Sequence, residues 1–195
     1  MKRLAGMLLC GALLQAQTPA SVTAHLRDFA LLHADFTQSR KVAALSRPML
    51  STGTMVMARN QGVLWQIRKP LPVAFVITPR AFLEVGQDGR PHPRPAQDAP
   101  VVAHLGRLFQ ALLQGQWGAL ESQFTVRAEG GPDQWTIRLT AKAGAPVKGA
   151  QVSGGRFLER VRVEEQGGDT LEIRFEHPRT AEPLTEAEAR LLAGA

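Results

Sequence analysis

The stretch from Leu50 to Thr78 constrains the fold of this chain more than any other part of the sequence. Apolar side chains recur there at every second position, the period that places side chains on one face of a β-sheet. Arg59 ends one of these apolar rows with a charge. The pattern predicts three consecutive strands with a broad apolar face. Such a face is typical of a protein that holds lipid rather than of a catalyst, but an ordinary core packed against two helices would give the same pattern. The alternating residues are Met55, Met57, Val63, Trp65, Ile67, Val73, Phe75 and Ile77.

The N-terminus predicts a signal peptide over residues 1–20. Lys2 and Arg3 form a positive region, and eleven largely apolar residues follow at 4–14. That length is well short of the about 20 residues that cross a bilayer as a helix. We expect cleavage within residues 16–20 and export to the periplasm of a bacterium.

Composition narrows the class of protein further. Cys10 is the only cysteine and lies in the predicted signal peptide, so we expect no thiol or disulfide in the mature chain. The residues before Cys10 make a poor lipidation signal. The remaining residues, 21–195, fit a single domain. With Lys2 and Arg3 removed from the 23 basic residues, 21 remain against 17 acidic ones, a formal charge of +4. This charge fits either Arg-rich codon usage or attraction to anionic lipid or an acidic partner. Nucleic-acid binding is not expected, because no basic run is interleaved with aromatic residues.

Patterns along the rest of the chain predict the order helix, strands, helix, strands. This order implies one antiparallel sheet with helices gathered on one side. Good turn residues, Asn60 to Gly62, separate two of the strands. We expect a long proline-rich surface loop over 86–100. The predicted helices are Ser21 to about Leu32, Asp98 to Gly115, and a short one after a capping box of Thr185 and Glu188; the predicted strands are 35–43, 50–59, 62–69, 72–78, 81–85, 124–129, 135–140, 156–165 and 170–177.

Two details of this scheme bear on the site. The helix from Asp98 carries a wide apolar stripe, which must press on the sheet. In the last hairpin, pairing of Val163 with Leu171 would place Arg162 opposite Glu172 on the solvent face. The stripe consists of Val101, Leu105, Leu108, Phe109, Leu112 and Leu113.

Local signatures of catalysis and metal binding are missing from the sequence. The five histidines carry no HExxH motif and no i,i+4 pair, so we predict neither a metal site nor a cofactor. No GxSxG elbow and no glycine-rich phosphate loop occur. We therefore predict that the chain is not an enzyme.

The order of motifs resembles the LolA and LolA-related family of outer-membrane lipoprotein carriers. His33, Phe36, Thr37 and Gln38 match the H-x-x-F-T-Q signature that follows the first helix of that family. Weaker matches follow in the same order along nearly the whole mature chain. They are Gly53, Arg59, Gly62 to Trp65, Pro70, Val76 to Thr78, Leu108 to Gly115, and Gly155 to Val161.

The resemblance implies an α+β fold, a half-open antiparallel β-barrel whose helices form a lid over an apolar cavity. It implies a periplasmic, monomeric carrier that takes a lipoprotein from an inner-membrane exporter to an outer-membrane acceptor. Arg59 matches the basic lid residue of the family by its six-residue distance from Gly53. The lid would be the helix from Asp98 to Gly115. The cavity would be lined by Met55, Met57, Val63, Trp65, Ile67, Phe75, Ile77, Leu105 and Phe109.

One segment departs from the family. The usual D-G-x-x-x-W-x-Y strand is replaced by residues 81–90, which hold neither Trp nor Tyr. The cargo is therefore either a lipoprotein or another acyl-bearing lipid, such as an aryl-polyene lipid. Two other classes of function stay open: a non-catalytic envelope module that docks a subunit of a membrane complex, and an acyl hydrolase without a local signature.

Overall fold

The structure is a computed structural model that describes residues 17–78, 81–95, 100–145 and 147–193. A single antiparallel sheet of eleven strands holds about half of these residues. The strands are β1 (Leu31–Lys41), β2 (Met49–Ala58), β3 (Gly62–Lys69), β4 (Val73–Ile77), β5 (Phe82–Val85), β6 (Pro91–Pro93), β7 (Phe124–Gly131), β8 (Gln134–Ala141), β9 (Val147–Gly154), β10 (Leu158–Glu165) and β11 (Thr170–Arg179).

The strand order shows that the sheet is curved but not closed. The order is β6-β5-β4-β3-β2-β1-β11-β10-β9-β8-β7, so β6 and β7 are free edges and the first strand pairs with the last. This architecture confirms the predicted α+β class and the half-open barrel.

Among the described residues, four helices accompany the sheet: α1 (Pro19–Val22), α2 (Pro100–Gln114), α3 (Gly118–Glu121) and α4 (Glu186–Ala193). A 3₁₀ turn, Ala24–Asp28, follows α1. Within the described ranges, no helix has both the length and the apolarity needed to cross a bilayer.

The N-terminal helix is shorter than predicted and starts earlier. The Thr18 hydroxyl accepts a hydrogen bond from the Ser21 amide at 3.1 Å, so Thr18 and not Ser21 is the N-cap. The chain then becomes extended at Leu31, because alternation from there places Leu32 and two further apolar side chains on the sheet's inner face. The predicted signal peptide lies largely outside the described residues, although Pro19 and Ala20 belong to α1.

The predicted turns and register are largely confirmed. Asn60 and Gly62 have φ of 66° and 142°, the positive values that their residue types tolerate. Arg162 pairs with Glu172 in the β10–β11 hairpin as expected. Two strands were not predicted: β9, whose glycines weaken its alternation, and the edge strand β6, where proline is tolerated.

Helices cover both faces of the sheet. The inner face packs against α1, α2 and α3 and holds the main core. The outer face carries a second, smaller core in which Leu192 of α4 packs on Val56, Leu64 and Val76. The prediction that helices gather on one side is therefore wrong for α4. Its predicted capping box is confirmed, since the Thr185 amide donates to the Glu188 carboxylate at 2.8 Å and the Glu188 amide donates to the Thr185 hydroxyl at 3.3 Å.

Candidate functional site

The apolar residues predicted from β2, β3 and β4 come together on the inner face. The register aligns Met55 with Trp65 and Trp65 with Phe75, so these three side chains form one row across three strands. Met57, Val63 and Ile77 form the next row in the same way. All six side chains are buried, and Ile67 is partly buried beside them.

Trp65 lies at the centre of an aromatic cluster. Its ring stacks on Phe36 of β1, with centroids 3.9 Å apart. Phe109 of α2 and Phe175 of β11 lie 5.9 and 6.0 Å from the same ring. The cluster joins four elements that are distant in sequence. Phe36 was noted only as part of a motif, and Phe175 was missed, because the pairing of β1 with β11 leaves no local sequence signal.

Gly53 explains how this stack fits together. A Cβ at Gly53 would lie 1.9 Å from the carbonyl oxygen of Gln66 and 2.7 Å from the Phe36 ring. Only glycine allows both neighbours to approach so closely. The glycine and the phenylalanine of the family pattern are thus parts of one packing arrangement.

Helix α2 lies directly on the inner face, as the lid prediction requires. Leu105 and Phe109, both predicted to line the cavity, are buried in the main core. Gly106 makes the closest approach, since a Cβ there would lie 2.4 Å from Cγ2 of Ile77 on β4. The lid and the sheet are therefore in direct apolar contact.

In this closed arrangement the inner face is filled by the protein's own side chains. An apolar space of about 30 Å³, partly open to the surface, lies beside α2 and α3. Lipid-sized ligands need several hundred Å³. The site could hold an acyl chain only after α2 moves. The lining residues are Leu105, Leu108, Leu120, Phe124, Leu139, Val147, Ala150 and Val163, all from the C-terminal half.

Arg59 lies at the rim of the inner face, where β2 ends. Its amide donates to the Ala30 carbonyl at 2.9 Å, and its Nε donates to the Phe29 carbonyl at 3.3 Å. Its described partners are thus in the N-terminal segment before β1, whereas the family resemblance implies a contact with the lid helix.

The same N-terminal segment is tied to the opposite rim. Phe29 stacks on Phe157 of the β9–β10 turn at 4.9 Å, and the Arg156 guanidinium lies over both rings. The His25 ring nitrogen Nε2 lies 2.9 Å from the Gly155 carbonyl oxygen. Residues 24–30 therefore form a strap across this end of the sheet, held by Arg59 on one side and by the β9–β10 turn on the other. The strap was not predicted.

The histidine of the H-x-x-F-T-Q motif faces away from the apolar site. His33 is buried on the outer face, with Nδ1 3.9 Å from the Glu182 carboxylate. Next to it, burial of Asp35 would raise its carboxyl pKa. Hydrogen bonds from Arg179 and His177, together with their positive charge, outweigh that effect and lower the pKa. This polar group helps to fix the segment that leads into α4.

Known proteins are similar to this chain in sequence or in structure. The sequence model of the family described as outer membrane lipoprotein carrier protein LolA-like matches residues 15–166. No curated protein sequence matches the chain. Among solved structures, the chain is similar to a LolA superfamily protein from Nitrosomonas europaea, with 9% identity and a TM-score of 0.49, over 87% of this chain and 96% of that chain.

A domain from Vibrio parahaemolyticus, titled as an outer membrane lipoprotein-sorting protein, is similar at 7% identity and a TM-score of 0.37, over 87% of this chain and 96% of that one. LprF from Mycobacterium bovis is similar at 10% identity and a TM-score of 0.32, over 88% of this chain and 97% of that one. The family match covers well over half of the sequence: this chain belongs to the LolA-like family of outer membrane lipoprotein carrier proteins.

Proposed function

We propose that this protein is a periplasmic, non-catalytic carrier that shelters the acyl chains of a lipoprotein or a related lipid between the inner and the outer membrane. The observation that carries the proposal is the contact between α2 and the inner face. The described side chains at that contact are apolar, and Gly106 lets the helix lie directly on Ile77.

The physical need for such a carrier follows from the cost of hydrating lipid. Each methylene group left in water costs about 0.8 kcal/mol, so a long acyl chain does not leave a bilayer unaided at a useful rate. In the closed state the apolar rows of β2 to β4 are covered by α2. Loading would replace those contacts with contacts to cargo. The free energies of the closed and the loaded state therefore differ by much less than the cost of exposing either the sheet or the acyl chain to water. A carrier needs this near balance because it must also release what it binds.

Arg59 is the residue that we assign to release. Its hydrogen bond to the Phe29 carbonyl holds the strap against β2 and adds a polar contact to the closed state. Arg59→Leu should leave the fold intact and slow the transfer of a bound fluorescent acyl lipid to acceptor vesicles, because the closed, empty state loses this polar contact and is favoured less. Arg59→Lys keeps the charge and serves as the matched control. Equal transfer rates for the leucine variant and the unaltered protein would remove Arg59 from this role.

The movement of α2 can be tested with a reversible cross-link. A Cβ at Gly106 would lie 3.7 Å from Cβ of Ile77, which is within the range that disulfides need. We therefore suggest the double variant Gly106→Cys and Ile77→Cys in a Cys10→Ser background. The oxidised protein has α2 fixed to β4, and the reduced form of the same protein is its control.

The carrier proposal predicts that the oxidised protein takes up no fluorescent fatty-acyl probe and that reduction restores uptake. Each single-cysteine variant, treated with the same oxidant, should bind the probe as the reduced double variant does. Uptake that is the same in the oxidised and the reduced protein would contradict binding under α2.

The cargo can be identified directly. Lipid should be extracted from protein that was purified from the periplasm without detergent and analysed by mass spectrometry. A stoichiometric lipoprotein acyl group or polyene lipid would establish the carrier and name its cargo. An empty protein that also binds no acyl probe would favour the docking module, whose partner is a subunit of a membrane complex.

A further inference from the structure

Two neighbouring turns at the end of the sheet opposite Arg59 carry an unusual set of side chains. The β1–β2 turn and the β3–β4 turn lie side by side, because Thr52 pairs with Lys69 and each strand leaves the sheet within a few residues of that pair. We call residues 41–50 and 68–72 together the basic tip.

The basic tip exposes large apolar side chains. In the part of the chain that the structure describes, the large hydrophobic side chains that are markedly exposed all lie here: Leu45 at 49%, Met49 at 55%, Leu50 at 62% and Leu71 at 77%. Scattered exposed leucines need no explanation, but a cluster of this kind marks an interaction surface. These side chains are also separate from the apolar inner face, which is buried under α2.

The same residues carry a uniform charge. Lys41, Arg47, Arg68 and Lys69 are exposed, and residues 41–50 and 68–72 contain no acidic residue. The acidic groups of the adjacent β10–β11 hairpin are occupied: the carboxylates of Glu165 and Asp169 lie 3.0 and 3.6 Å from the Arg40 guanidinium.

The neighbouring turns do not cancel this charge. In the β5–β6 turn, Asp88 binds His92 at 3.0 Å and is accompanied by Arg90. The tip therefore combines four exposed cations with four exposed apolar side chains.

We propose that the basic tip docks this protein on an anionic phospholipid surface. Cations that interleave with apolar side chains match the interface of a charged bilayer, where phosphates lie above the hydrocarbon. Insertion of a few apolar side chains alone binds a protein only marginally to a bilayer. Basic residues that attract anionic headgroups supply a second contribution. Because the tip lies at the other end of the sheet from Arg59 and the strap, docking would leave that rim free. This inference does not depend on the cargo, since the tip is distinct from the inner face.

The first experiment is co-sedimentation of the purified chain with vesicles. Phosphatidylcholine vesicles that contain phosphatidylglycerol should bind it, and pure phosphatidylcholine vesicles should bind it at least tenfold more weakly. Lys69→Glu should weaken binding at least about fivefold, and Leu71→Ser roughly tenfold. Arg127→Glu is the matched control: it changes the net charge by the same amount at an exposed position of β7 and should leave binding nearly unchanged.

A second measurement locates the contact. The tryptophans Trp65, Trp117 and Trp135 are all buried, so a Leu71→Trp variant adds one exposed fluorophore. Brominated anionic vesicles should quench the added emission and leave the buried background unchanged.

The proposal is overturned if the chain does not bind anionic vesicles, if Arg127→Glu weakens binding as much as Lys69→Glu, or if the added tryptophan is not quenched in the bound state. Loss of vesicle binding together with intact acyl-probe uptake would reject the docking surface and leave the carrier function standing. Capture of an acidic membrane protein by the tip, without binding to lipid, would also reject it.

Discussion

The two halves of the sheet are built differently. The parts of β2 to β4 away from the basic tip are buried on both faces. Val56 and Leu64 on the outer face are as inaccessible there as Met55 and Trp65 on the inner face. Strands β7 to β11 alternate between buried and exposed residues, with solvent on the outer face. The difference comes from α4, which covers only the first half from outside. Under the proposed function α2 leaves the inner face, and the second core would then support the sheet from behind.

The largest effect should come from the aromatic cluster of the first half. Trp65→Ala removes the ring that joins β1, β11 and α2, and should lower the free energy of unfolding by about 3–5 kcal/mol. Urea unfolding followed by circular dichroism measures this. A loss below about 1 kcal/mol would mean that the cluster is loosely packed and that the halves differ less than the burial indicates.

A pair of substitutions on the outer face tests the comparison directly. Leu64→Ala, under α4, should cost about 2–5 kcal/mol of unfolding free energy, because it leaves a cavity in the second core. Thr140→Ala occupies the outer face of β8, where the side chain is exposed, and should stay within about 0.5 kcal/mol. Similar losses of unfolding free energy for the two variants would contradict the conclusion that α4 supports only the first half of the sheet from outside.

The N-cap of α4 should have a smaller effect. Thr185→Ala removes one half of the capping box and should destabilise the protein by about 0.5–2 kcal/mol, since a helix amide loses its acceptor. Thr185→Ser keeps the hydroxyl and is the control. If only the region around α4 loosens, hydrogen exchange will increase at β3 and β4 before it increases at β8 and β10.

The smallest predicted effect is electrostatic and concerns the outer junction of the two halves. The lowered pKa of Asp35 means that its ionised form stabilises the fold at pH values above the ordinary carboxyl pKa, and that this contribution is lost as the pH falls through the lowered value. Asp35→Asn should therefore shift the urea midpoint downward near pH 7 and have almost no effect near pH 2. The Asp35 side chain is 39% exposed, so the shift should be small. Equal shifts at both pH values would indicate a packing effect instead.

The sequence predicted most strands in both halves, and it missed β6 in the first half and β9 in the second. Alternation in Trp135, Ile137 and Leu139 is clean because only one face is buried. Alternation in β2 to β4 was sufficient to predict the rows of Met55 and Met57, and the register of a hairpin then brings such rows together.

Other features could not be predicted, because they depend on contacts between distant segments. Burial of Leu64 and Val76 under α4 requires a helix more than a hundred residues away in sequence. The strap depends on single hydrogen bonds from Arg59 and His25 to backbone carbonyls, which any residue could offer. The tight closure of the inner face is a matter of side-chain volumes, and these become visible only when the elements are assembled.

The position of α2 in the chain has a mechanical consequence. The helix follows β6, one free edge of the sheet, and leads through α3 into β7, the other free edge. Its fifteen residues span about 22 Å. The helix is thus part of the covalent connection between the two edge strands. Under the proposed function, a partner that moves the edge strands would act on α2 through that connection and could load or unload the carrier without touching the helix.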